Sequence, residues 1–133
     1  MIVRYMLDTN AASYAINKKS PAFDRRLAKV AMVELAISSI TEGELHYGAA
    51  RTGSAPLLAI IEQLLLSVTI FPWDSAAARQ YGLLRSSLEH SGRLMGGLDM
   101  MIAAHALALG LILVTNDRAF SRIKRLKTED WTK

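Results

Sequence analysis

Short apolar runs alternate with longer stretches in which hydrophobic residues recur every three or four positions. That is the alternation of strands and helices. Residues 2–7 read as a strand that stops at Asp8, with Thr9-Asn10 as a turn or helix cap before a helix over 11–18. Ser20-Pro21 opens a second helix, to about residue 30, with serine as cap and proline in the first turn. Residues 35–40 form a second strand, and Thr41 caps a helix through residue 50 with Glu44 in the capping-box place. Leu57, Leu58, Ile61, Leu64 and Leu65 mark an apolar helix starting at Ser54-Ala55-Pro56.

A third strand at 68–71 is broken by Pro72, and Asp74 or Ser75 caps a long helix to His90 that Ser91-Gly92 ends. Gly96-Gly97 is a hinge before an alanine-rich helix over 98–109, closed by Gly110. The continuous apolar strand 111–114 implies burial on both faces. A short helix after Asn116 and a weak strand near 126–130 finish the chain. The order predicts an α/β fold: a mostly parallel sheet of about five strands with helices on both faces. Ligands in such folds bind beyond the carboxyl ends of the strands.

At 133 residues and 51% hydrophobic composition, 1–133 is expected to be one domain with a core of its own. Cysteine is absent, which excludes disulfide frameworks, thiolate zinc sites and cysteine nucleophiles and suits a reducing compartment. Residues 1–7 are too short for the apolar core of a secretory leader and carry Arg4, with Asp8 next. No apolar run approaches the roughly 20 residues of a membrane helix, so a cytoplasmic location is expected. The net charge of +4 is unevenly placed: from Arg118 onward six basic residues face two acidic ones. A basic terminal segment on a balanced body suits a polyanion-binding edge, or simply a solvated surface.

Four acids fall at one kind of place. Asp8 follows the first strand, and Asp117 comes shortly after the strand 111–114. Glu44 and Asp99 sit in first helical turns, where an acid also has the ordinary role of complementing the helix dipole. Asp8 has no packing reason to close an apolar strand. Four carboxylates brought together would repel one another, and a hard divalent cation relieves that. Oxygen donors without a His or Cys cluster point to Mg²⁺ or Mn²⁺. An acidic metal site beside a basic flank suggests hydrolysis of phosphodiesters.

The segments Met6-Leu7-Asp8-Thr9-Asn10, Ser39-Ile40-Thr41-Glu42-Gly43-Glu44-Leu45-His46-Tyr47-Gly48-Ala49, Gly97-Leu98-Asp99-Met100-Met101-Ile102-Ala103-Ala104-His105-Ala106 and Leu113-Val114-Thr115-Asn116-Asp117 resemble, in order, the blocks of PIN-domain toxins of the VapC family. The likeness covers essentially the whole chain, to Thr128-Glu129-Asp130-Trp131. It implies a Mg²⁺- or Mn²⁺-dependent endoribonuclease acting on structured RNA such as transfer RNA. It also implies restraint by a cognate VapB-type antitoxin, a homodimer and a toxin–antitoxin hetero-oligomer. By position, Asp8, Glu44, Asp99 and Asp117 match the family's acidic quartet, with Asp8, Asp99 and Asp117 as metal ligands. Thr115 and Asn10 match accompanying polar residues. The chain departs from the family at Gly97, where proline is common, and relatives often carry Asn at the position of Asp117.

Arg93, Arg122, Lys124 and Arg125 are candidate RNA contacts. His46 lies about 200° round the helix from Glu44 and points elsewhere. His105, among alanines, reads as a packing residue, and His90 as a helix-terminal one. Met100 and Met101 read as core fillers, and Met95 as a core filler or a partner contact. Tyr47 and Trp73 follow apolar runs and are expected to be buried. The apolar helix after Ser54 is expected to pack in the core, or else to face a partner. Two other functions compete: a non-catalytic PIN-like scaffold binding RNA or protein, and a metal-dependent phosphohydrolase. An aspartyl-phosphate enzyme needs a second acid two residues after the first, where this chain has Asn10. A receiver domain needs adjacent acids after the first strand.

Overall fold

A computed structural model of the chain describes residues 2–133; Met1 lies outside the described residues. The elements run β1 (Tyr5–Leu7), α1 (Thr9–Asn17), α2 (Pro21–Leu27), a 3-10 turn (Met32–Glu34), β2 (Leu35–Ser38), α3 (Ser39–Thr52), α4 (Ala55–Ser67), β3 (Thr69–Phe71), α5 (Ser75–His90), α6 (Gly97–Leu109), β4 (Ile112–Val114), a second 3-10 turn (Arg118–Arg122) and β5 (Thr128–Glu129). The strands form one sheet in the order β3-β2-β1-β4-β5, and every pairing is parallel. The expected α/β architecture is present, and the sheet is wholly rather than mostly parallel.

Strand alternation sorts the core into two layers. Tyr5 and Leu7 of β1 pack with Phe23, Leu35, Ile37, Leu45, Ile61 and Trp131 on the face covered by α1 to α4. Met6, between them, points to the other face and joins Leu113, Leu84, Leu88, Met100, Ile102 and Phe120 beneath α5 and α6. Three-residue β1 is buried on both faces because it is central in the sheet.

Several starts follow the expected signals: Ser20, Ser54 and Asp74 each cap a helix through a side-chain oxygen that accepts a backbone N–H. Two boundaries differ. Asp8 itself caps α1, which begins at Thr9. Ser38 rather than Thr41 caps α3. Thr41 is buried within that helix. Strand β2 therefore ends earlier than expected, and Glu44 lies beyond the first turn of α3, where the dipole explanation does not reach.

Helix α4 also departs from expectation. Only Ile61 is fully buried, while Leu58, Ile60 and Leu66 are exposed. One stripe of the helix, with Ile61 buried and Leu57, Leu64 and Leu65 partly buried, meets the core, and the rest faces outward. The short β5 is held by Arg26, whose Nη2 donates to Tyr5 Oη (3.2 Å) and to Glu129 Oε1 (3.4 Å). Its guanidinium carbon lies 4.8 Å from the Trp131 ring centroid. Among the described residues, no helix is long and apolar enough to cross a membrane.

Candidate active site

The order of the strands reverses between β1 and β4, so the chain leaves the sheet in opposite directions and opens a crevice at their carboxyl ends. Asp8 follows β1, and Thr115, Asn116 and Asp117 follow β4. Asp8 is 3% exposed, and its Oδ1 accepts the Ala11 N–H at 2.7 Å. Thr115, also buried, accepts the Asp117 N–H at Oγ1 (3.0 Å), and its side chain lowers the titration of Asp8. Asp117 is exposed, and its Oδ1 accepts the Ala119 N–H (2.9 Å), capping the second 3-10 turn.

Asp99 reaches the crevice from the first turn of α6. Gly97 occupies the first helical position, where proline's fixed φ and missing N–H are well accommodated. This gives the family's proline at that place a physical reason. Glu44 comes from α3 and is not held by the dipole. Its Oε1 accepts the hydroxyl of Thr9 at 2.6 Å, across to α1. Thr9 was read from the sequence only as a turn or cap residue; its adjacency to Asp8 was the available signal.

The acids feel one another. The Asp8 carboxyl is raised from its ordinary value of 3.8 to about 6, by burial first, against the lowering by Thr115 and the Ala11 amide and with added raising by Asp99 and Asp117. Asp99 is also raised, by burial first and then by Asp117 and Glu44. None of the ion pairs among the described residues brings a cation to these four acids. Nor do three carboxylates or imidazoles among the described residues close into a ready-made metal cage. The capping bonds of Asp8 and Asp117 turn one oxygen of each toward backbone amides. This all-oxygen, open set fits a hard cation that keeps several of its waters, as Mg²⁺ does. Asn10 is exposed on α1 and makes no contact with the acids in the described hydrogen bonds.

Arg93, Arg122, Lys124 and Arg125 share one groove of about 530 Å³ with Ser87 and Ser91. Arg122 Nη1 donates to the Leu94 carbonyl (3.3 Å), joining this groove to the loop that leads into Asp99. The four cations read from two separated parts of the sequence therefore form one surface.

The remaining residues divide. His105 is buried, with Nδ1 2.8 Å from Ser38 Oγ and its titration lowered by burial, which fits a packing residue. His46 is exposed, and His90 Nδ1 meets the Ser86 carbonyl of its own helix. Met100 is buried as expected, while Met101 is half-buried and Met95 packs at the edge of the second core layer. Tyr47 corrects the expectation of burial: it is 68% exposed, because it lies on the outer face of α3. Trp73 is half-buried, its Nε1 donating to the Met101 carbonyl (2.9 Å).

The description of the PIN domain matches residues 5–126, and the chain belongs to that family. Its relatives within the family are VapC ribonucleases. The tRNA(fMet)-specific endonuclease VapC of Shigella flexneri is 40% identical over 133 residues, covering 98% of this chain and 100% of the relative. Ribonuclease VapC2 of Haemophilus influenzae is 38% identical over 132 residues, covering 98% and 99%. Among solved structures, DNA-bound VapBC from Salmonella typhimurium superposes with a TM-score of 0.89 at 36% identity, covering 97% of this chain and 98% of that one. VapBC2 from Rickettsia felis, bound to a DNA fragment from its promoter, gives 0.85 at 36%, with coverage of 97% and 98%.

Proposed function

We propose that this chain is the toxin of a VapB–VapC pair, a single PIN domain over 1–133 that hydrolyses phosphodiester bonds in structured RNA with Mg²⁺ or Mn²⁺. What supports the reading is that Asp99 and Asp117 raise the titration of Asp8, that Asp117 and Glu44 raise that of Asp99 without an ion-pair partner among the described residues, and that four cations share one groove. Transfer RNA as substrate follows the name of the Shigella flexneri relative. A VapB-type antitoxin in a toxin–antitoxin hetero-oligomer follows the VapBC complexes of Salmonella typhimurium and Rickettsia felis, and the homodimer rests on the family resemblance alone. The compartment is the cytoplasm.

Asp8, Asp99 and Asp117 would hold the metal, directly or through waters. When bound, Mg²⁺ or Mn²⁺ supplies Lewis acidity and a more acidic water. Thr115 holds the Asp117 backbone and favours the ionised form of Asp8. Thr9 holds one oxygen of Glu44, so the carboxylate is oriented to take a proton from the attacking water. Arg93, Arg122, Lys124 and Arg125 attract the RNA backbone and fix it beside the acids. Because water, not the ribose 2′-hydroxyl, attacks in line, the products carry 5′-phosphate and 3′-hydroxyl ends. The test is end analysis of transfer RNA fragments made by the purified protein. Ends that accept ligation as 5′-phosphates support the reading; 2′,3′-cyclic phosphates would overturn it.

A further inference from the structure

A second pocket, of about 320 Å³, is lined by Asn10, Ser13, Tyr14, Asn17, Lys19 and Asn116. Asn10 stands two residues after Asp8, and Asn116 immediately precedes Asp117. The pocket is therefore built from the two segments that carry Asp8 and Asp117, on the α1 side, and its lining has no residue in common with the cationic groove. We propose that it is a base-reading subsite, which takes one nucleobase beside the scissile phosphate and so sets where the RNA is cut. This rests on the nuclease reading above and extends it to sequence choice.

The lining has the chemistry for that task. It contains no carboxylate to repel RNA and one ammonium, Lys19, to meet a phosphate or sugar. Three carboxamides dominate it, and a carboxamide presents a donor and an acceptor side by side, the pattern of a base edge. RNA is read in this way where its bases are unstacked. The amides are also held in place. Asn116 Nδ2 donates to Tyr14 Oη (3.2 Å), which leaves its Oδ1 and a second hydrogen for a ligand. The Tyr14 ring stacks on buried Phe23 with centroids 5.8 Å apart, so the hydroxyl that orients Asn116 sits on a fixed element. Asn17 Oδ1 accepts the Lys19 N–H (2.9 Å), leaving its amino group available. The two flanks thus divide the work: cations on one side grip the backbone of any RNA, and amides on the other discriminate among bases.

The test maps the cut positions of wild type, Asn10→Ala, Asn116→Ala and Tyr14→Phe on a pool of RNAs randomised around the cut. Tyr14→Phe keeps the ring on Phe23 and removes only the hydroxyl, which covers the case that Asn116→Ala disturbs Asp117. The expected result is a loss of nucleotide preference, about tenfold, at one position next to the cut. Unchanged preference, or an equal loss of cutting at every sequence, would overturn the proposal. Binding of the same pool to Asp8→Asn protein reads the pocket without cleavage. If the wild type does not cut, the nuclease reading fails, and base preference in binding that the asparagine substitutions erase would still uphold the subsite. Variants that change affinity for a protein partner while leaving RNA preference intact would make the pocket a polypeptide contact and overturn the proposal.

Discussion

Replacing Asp8 by Asn should stabilise the metal-free protein at neutral pH while removing its function. The fold buries this carboxyl and raises it from 3.8 to about 6. A group whose folded pKa is raised contributes its full stability below the unfolded value and loses it as pH climbs through the folded one. Wild-type stability should therefore fall between about pH 4 and pH 7. At about 1.36 kcal/mol per unit, a shift of roughly two units makes the ionised carboxylate cost about 3 kcal/mol at pH 7.5. Asparagine keeps an oxygen for the Ala11 amide and can still meet Thr115, so the cap survives. For a domain of this size the gain corresponds to a rise in Tm of roughly 10 °C. The assay is thermal unfolding of both proteins in EDTA from pH 4 to 8. Wild type should lose stability across that range, and Asp8→Asn should lose much less, its remaining slope coming from Asp99. Parallel curves for the two proteins would refute the claim that Asp8 is a strained buried acid.

Mg²⁺ or Mn²⁺ should raise the Tm of wild type more than that of Asp99→Asn, because a cation that binds only the folded state stabilises it; equal shifts would place the ion elsewhere. Replacing Arg122, Lys124 and Arg125 together by Ala should weaken RNA binding and reduce its salt dependence by up to about three phosphate contacts, read from log Kd against log salt. Gly97→Pro should stabilise by about 0.5–1 kcal/mol in denaturant melts: Gly96 already has φ −59° and ψ 145°, which suit the residue before proline, and a Cβ at Gly97 meets nothing within 4 Å. His105→Ala should cost about 2–4 kcal/mol by leaving a cavity and removing the Nδ1 partner of the Ser38 hydroxyl, without changing the metal requirement of cleavage.

The strand and helix order was legible because apolar runs and capping residues agree locally. Ser20, Ser54 and Asp74 announced their helices, and Gly110, at φ 67°, closed α6 as a glycine can. Asp8 and Asp117 stood out because each follows a strand, and Asp99 because it opens a helix; Glu44 does neither. What the sequence hid was set by partners distant along the chain. Ser38 and Thr41 are both plausible caps, and burial of Thr41 against the sheet decided between them. Glu44 is positioned by Thr9, 35 residues away, which no local pattern announces. Tyr47 and the outer face of α4 are exposed, and hydropathy alone does not show which of two apolar faces is inside. The pocket of amides joins α1 to the segment after β4, and only the pairing of β1 with β4 brings those together.

The most direct test of the central claim is cleavage of total transfer RNA by the purified protein in Mn²⁺ and in EDTA, beside Asp8→Asn prepared identically. Discrete fragments that require the metal and vanish with Asp8→Asn are the predicted result. Cleavage that persists in EDTA or survives the substitution would contradict a metal-dependent site built on Asp8.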